Sequence, residues 1–105
     1  PYVVIHTHPA CGIFSHGDLS SFTRNKNLKL MTAIGHNGHI YAVEKSINYD
    51  AVAANGIVGD LNAEIARLKN IPRAELPDDQ LLEQAEKLIR QAIGDLQENG
   101  VKYYE

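Results

Sequence analysis

Apolar and polar positions divide this chain into a strand-rich first half and a helix-rich second half. Tyr2-Val3-Val4-Ile5 are consecutive and β-favouring, the pattern of a strand buried on both faces. Pro9 and Gly12 place a loop over residues 7–14. Ser15 stands three residues before Asp18, the spacing of a capping box with a shorter acid. It predicts a short helix from about Ser15 to Arg24 with Leu19 and Phe22 inward, ended by Asn25-Lys26-Asn27. Leu28 to Ile34 reads as a second strand. Asn37-Gly38 signals a tight turn, because its central positions need positive φ. His39 to Val43 returns as a third strand.

From Asp60 onward, Leu61, Ile65 and Leu68 recur at helical spacing, with Asp60 as the candidate N-cap. Gly56 and Gly59 weaken any extension of that helix back to Tyr49. Pro72 and Pro77 bracket a loop, and Asp78 or Asp79 starts a final helix. Its apolar positions, from Leu81 and Leu82 through Ala85, Leu88, Ile89, Ala92 and Ile93 to Leu96, keep a 3.6-residue period. Asn99-Gly100 stops it, and Val101 to Tyr104 reads as a short edge strand. The amphipathic stripe of this last helix is expected to pack within the chain, the other reading being a docking face for a partner. The sum is an α/β fold: a mixed sheet with one helix close to it and a helical C-terminal region. Residues 1–47 form the sheet-bearing core, and residues 48–105 pack on the same domain.

Composition narrows the class. A chain of 105 residues is one small domain, and 44% apolar with 22% charged residues supports a folded core. Ten Lys and Arg against thirteen Asp and Glu give a net charge of −3, which excludes the simplest basic nucleic-acid binder. No apolar stretch is long enough to span a bilayer, and no basic segment precedes an apolar one in the manner of a signal peptide, so neither a signal peptide nor a membrane partner is expected in this chain. A single cysteine, Cys11, excludes an internal disulfide framework and agrees with a reducing, cytoplasmic compartment. The chain opens inside an apolar run, which suggests a piece of a longer protein.

The chemistry concentrates in residues 6–18. His6 and His8 are two apart, so an extended backbone sets both on one face. Asp18 comes from the first turn of the following helix, and the intervening loop is long enough to return it to the two histidines. Two imidazoles and one carboxylate with an open position suit catalytic zinc, although His-X-His alone is more often just two ordinary histidines. Cys11 beside them would ligate metal, respond to oxidants or be a passive thiol. His16, His36 and His39 read as surface or turn residues.

His6-Thr7-His8-Pro9, a short loop and then Ser15-His16-Gly17-Asp18 resemble the JAMM metalloprotease motif, also called MPN+ or JAB. The resemblance covers about residues 2–45. Its shorter loop is closest to the JAB-like domains of bacterial polymorphic toxins and phage head-associated proteins. It implies a truncated JAMM or cytidine-deaminase-like core, with His6, His8 and Asp18 as zinc ligands. Ser15 would be the catalytic side chain, hydrogen-bonding the attacking water or the oxyanion. It implies a zinc-dependent peptidase or isopeptidase acting on a protein or peptide.

The family's general base, a glutamate well before the first histidine, has no counterpart in the five residues preceding His6. Either it lies on a missing N-terminal segment, or the domain is a noncatalytic interaction module. Glu44 is a weaker substitute. A metal-dependent phosphoesterase is a third reading, since His-X-His after a strand also opens such sites. A homo-oligomer is a further expectation, with a second copy or the missing segment covering the surface left bare.

Overall fold

The computed structural model describes residues 2–8, 14–35 and 38–105, with residues 2–8 as backbone only. Element order is β1 (Tyr2–His8), α1 (His16–Arg24), β2 (Leu28–Gly35), β3 (Ile40–Lys45), α2 (Ala51–Lys69), α3 (Asp78–Gln97) and β4 (Val101–Tyr104). The sheet order is β1-β2-β3-β4; β1 and β2 are parallel and the other neighbours antiparallel. Parallel neighbours need a crossover, and α1 supplies it. The chain is a small mixed α/β domain. The expected loop from residue 7 begins later, because the β1 ladder continues to His8 opposite Gly35. The third strand starts at Ile40 rather than His39 and runs on to Lys45.

Alternation fixes which face of the sheet carries the core. Met31 pairs with Val43 and Ala33 with Tyr41, and all four are buried. Leu19 and Phe22 of α1, Val58, Leu61 and Ile65 of α2, and Ile93 and Leu96 of α3 join them in one cluster. Each fully buried aliphatic side chain is worth about 1.5–3 kcal/mol. The opposite face of the sheet is more open: Leu30, Thr32, Ile34 and Ala42 are half-buried, and Ile40 and Tyr104 are exposed. Lys45 reaches the core face as a buried cation. Its Nζ donates to the Asn25 carbonyl at 2.7 Å and lies 4.9 and 5.0 Å from the Phe22 and Tyr49 ring centres. Burial first, and the nearby Lys29 charge second, hold its pKa below the usual lysine value.

The second helix departs from the sequence expectation. It begins at Ala51, capped by Asp50, whose side chain accepts from the Ala53 N–H at 3.0 Å. Asp60 is therefore a mid-helix residue. Gly56 and Gly59 do weaken the helix, but Ala54 and Val58 extend the buried stripe of Leu61, Ile65 and Leu68 by another two turns. Packing outweighs a propensity cost of about 1 kcal/mol per glycine. A Cβ on Gly56 would meet nothing within 4 Å. Gly56→Ala is accordingly expected to stabilise the domain by about 0.5–1 kcal/mol in urea unfolding.

The final helix packs within the chain, against α2 and β4. Its buried stripe is Ile89, Ala92, Ile93 and Leu96, whereas Leu82 is 66% exposed. Pro77 occupies the N-cap position, with no side-chain cap. The β4 strand lies against β3, and its Tyr103 hydroxyl donates to Glu105 Oε1 at 3.1 Å. Burial, then this hydrogen bond, push the Tyr103 pKa up to about 12. The folded protein keeps this phenol neutral while the unfolded chain ionises near pH 10. Stability is therefore expected to fall as pH rises from about 10 to about 12, and Tyr103→Phe to flatten that slope in thermal melts.

Candidate metal centre

The β1-α1-β2 connection decides where the motif residues meet. In a strand–helix–parallel-strand unit, the carboxyl end of the first strand and the start of the helix share one edge of the sheet. That edge is where open α/β folds bind ligands. Here β1 ends at His8 and α1 begins at His16. His6 lies opposite Ala33 and His8 opposite Gly35. Both histidines thus hold register positions in the row of fully buried Ala33, on the face that carries α1. Their neighbours in β2, alanine and glycine, add little volume beside them. The side chains of His6 and His8 lie outside the described residues, as do Cys11 and His36.

Ser15 and Asp18 form a reciprocal capping box. Ser15 Oγ accepts from the Asp18 N–H at 3.0 Å, and Asp18 Oδ2 accepts from the Ser15 N–H at 3.1 Å. These bonds account for the Ser-X-X-Asp spacing by local helix physics alone. They also fix both side chains at the strand-end edge. The Asp18 carboxylate is half-buried and held in orientation by a backbone donor, the kind of outer hydrogen bond that positions a metal ligand. Ser15 is exposed and uses a lone pair in the cap, so its hydroxyl hydrogen still serves as a donor.

Two further histidines reach this region. His16 Nδ1 donates to Asn62 Oδ1 at 3.0 Å, which sets the imidazole between α1 and α2. In a neutral ring this leaves Nε2 as the acceptor nitrogen. His39 follows the turn at Gly38, whose φ is 84°, and its ring centre lies 6.3 Å from that of Tyr41. Continuing the β2–β3 register by one residue sets position 39 beside Gly35, which itself pairs with His8. The turn therefore brings His39 to the same edge as the motif, and not merely to the surface.

Glu44 is placed elsewhere. It pairs with Leu30 and Lys102 and accepts a 2.9 Å hydrogen bond from the Tyr104 hydroxyl, on the face opposite Val43 and Lys45. It is three register positions from the His6–Ala33 pair and on the wrong face to act on water there. Among the described residues, no three His, Cys, Asp or Glu side chains form a cluster able to hold a metal ion. No helix among them is long and apolar enough to cross a membrane. The residue types at this edge, two histidines at alternate positions of one strand and one oriented carboxylate, are those that zinc takes. No protein-family model, curated protein or solved structure matches this chain.

Proposed function

We propose that this domain is a zinc-dependent hydrolase of the JAMM type that cleaves peptide or isopeptide bonds. One observation carries the reading. His-X-His ends a strand, and the capped Ser15–Asp18 pair starts the next helix, so four chemically apt residues share one edge of the sheet. His6, His8 and Asp18 would hold the ion, and Ser15 would donate its hydroxyl hydrogen to the oxygen that gains charge. Zinc, when bound, supplies a Lewis acid for the scissile carbonyl and makes water more acidic. The capping box keeps Asp18 and Ser15 in place before substrate arrives, so little reorganisation is needed.

A noncatalytic binding module on the same scaffold is the second reading. The placement of Glu44, the one acidic residue in the four strands, favours it: engaged by Tyr104 on the far face, it offers no base at the edge. The first reading expects about one zinc per chain after dialysis against buffered zinc, measured by inductively coupled plasma mass spectrometry. It also expects zinc-dependent cleavage of a quenched fluorescent peptide, slow because no described acidic residue stands at the edge as a general base. Zinc bound without cleavage would support the second reading, and a chain that takes up no zinc would overturn the first.

A further inference from the structure

A polar groove of about 300 Å³ runs between α1 and α2, on described residues throughout. The two helices are antiparallel: His16 meets Asn62, while Tyr49, just before α2, donates to the Thr23 carbonyl. The groove therefore runs beside the second half of α1, from Ser20 to Arg24. Its α2 wall is Asn55, Gly59 and Asn62, spaced i, i+4 and i+7 on one helix face. Its α1 wall includes Ser20 and Arg24.

Four features make this a site for an extended backbone. A rise of 1.5 Å per residue puts the two asparagines about 10.5 Å apart along α2, which is the span of about three residues of extended peptide. Asn62 engages His16 through its Oδ1, which leaves its amide N–H groups available as donors, and Asn55 is exposed at the other end of the same groove wall. A Cβ on Gly59 would meet nothing within 4 Å. Gly38, Gly56 and Gly94 are open in the same way, but among the described glycines Gly59 alone lines this groove, between two asparagines on the same helix face. Glycine there permits the close approach of another main chain. Arg24, exposed and without an ion pair among the described residues, supplies one positive charge at the far end.

We infer that this groove binds an extended peptide. Its main-chain amides pair with Asn55 and Asn62 over Gly59, and an acidic side chain or terminal carboxylate meets Arg24. The inference rests on the proposed peptidase reading and names the part of the substrate distant from the bond to be cut. Main-chain recognition makes the site tolerant of sequence, and Arg24 gives it a preference for acid at one end.

The experiment titrates the zinc-free full chain with two blocked hexapeptides, one carrying glutamate and the other lysine near the C-terminus. It follows backbone amide shifts by NMR. The expected result is saturable shifts at Arg24, Asn55, Gly59 and Asn62, with the glutamate peptide bound more tightly. Gly59→Leu, a better helix former than glycine, is expected to keep the fold and zinc content and weaken peptide binding at least tenfold. Arg24→Glu is expected to reverse the preference in favour of the lysine peptide. Absence of saturable shifts at millimolar peptide would overturn the inference. So would unchanged binding in both variants. Because zinc is absent and hydrolysis is not read, failure here is separable from failure of the metal site.

Discussion

Gly100→Ala is expected to destabilise the domain by about 4 kcal/mol, from backbone strain and overpacking together. Gly100 has φ of 88°, and an added Cβ would collide with the Asn48 carbonyl and the Tyr49 Cα, both of them backbone. Neither can swing away as a flexible side chain would. The junction is also tied by hydrogen bonds: the Gly100 carbonyl accepts from the Ser46 N–H and the Ser46 hydroxyl, each at 2.8 Å. The Asn99 carbonyl accepts from the Asp50 N–H at 3.0 Å. Moving Gly100 would therefore pull on the end of β3, the cap of α2 and the start of β4 together.

Gly38 is the internal comparison. Its φ of 84° is similar, but a Cβ there meets nothing within 4 Å. Gly38→Ala is expected to cost only about 1 kcal/mol, from backbone conformation alone. Urea midpoints of the two variants check the difference. Equal losses would mean that the close approach at Gly100 contributes nothing. Against a typical domain stability of about 5–15 kcal/mol, a loss of about 4 kcal/mol is a large fraction of the total and should lower the urea midpoint of the Gly100 variant well below that of the parent.

The second large effect concerns the metal. His6→Ala is expected to lower zinc content from about one per chain to near zero, since losing one of the three proposed ligands leaves too few to hold the ion tightly. Asp18 needs a more careful substitution, because its carboxylate also caps α1. Asp18→Asn retains an oxygen for the Ser15 N–H, so the helix should stay capped while zinc affinity falls sharply. Asp18→Ala should lose both, with about 1 kcal/mol of stability from the cap. Ser15→Ala should lose a similar cap energy yet keep its zinc, because the proposed role of the hydroxyl is donation and not ligation. If the Asp18→Asn variant loaded zinc as fully as the parent, the capping box would be the whole explanation of Ser15 and Asp18.

Local features of the fold were legible in the sequence. The Ser15–Asp18 spacing gave the start of α1, and Leu19 and Phe22 gave its inward face, because both signals lie within three turns of helix. The start of α2 was not legible from propensity. Two glycines argued against a helix that Ala54 and Val58 hold in place by packing, and the Asp50 cap gave no capping-box partner to flag it. The site was legible as a motif but not as an assembly. The His16–Asn62 bond joins residues 46 apart, and no local pattern announces such a pair. His39 looked like a turn residue because only the register of β1, β2 and β3 brings it to the edge that His8 occupies.

The most direct measurement is anomalous diffraction at the zinc absorption edge from crystals of the full chain grown with zinc. One strong peak is expected about 2.0–2.2 Å from a nitrogen of His6, a nitrogen of His8 and an oxygen of Asp18. A chain whose crystals show these three side chains diverging with no peak between them would contradict the zinc assignment.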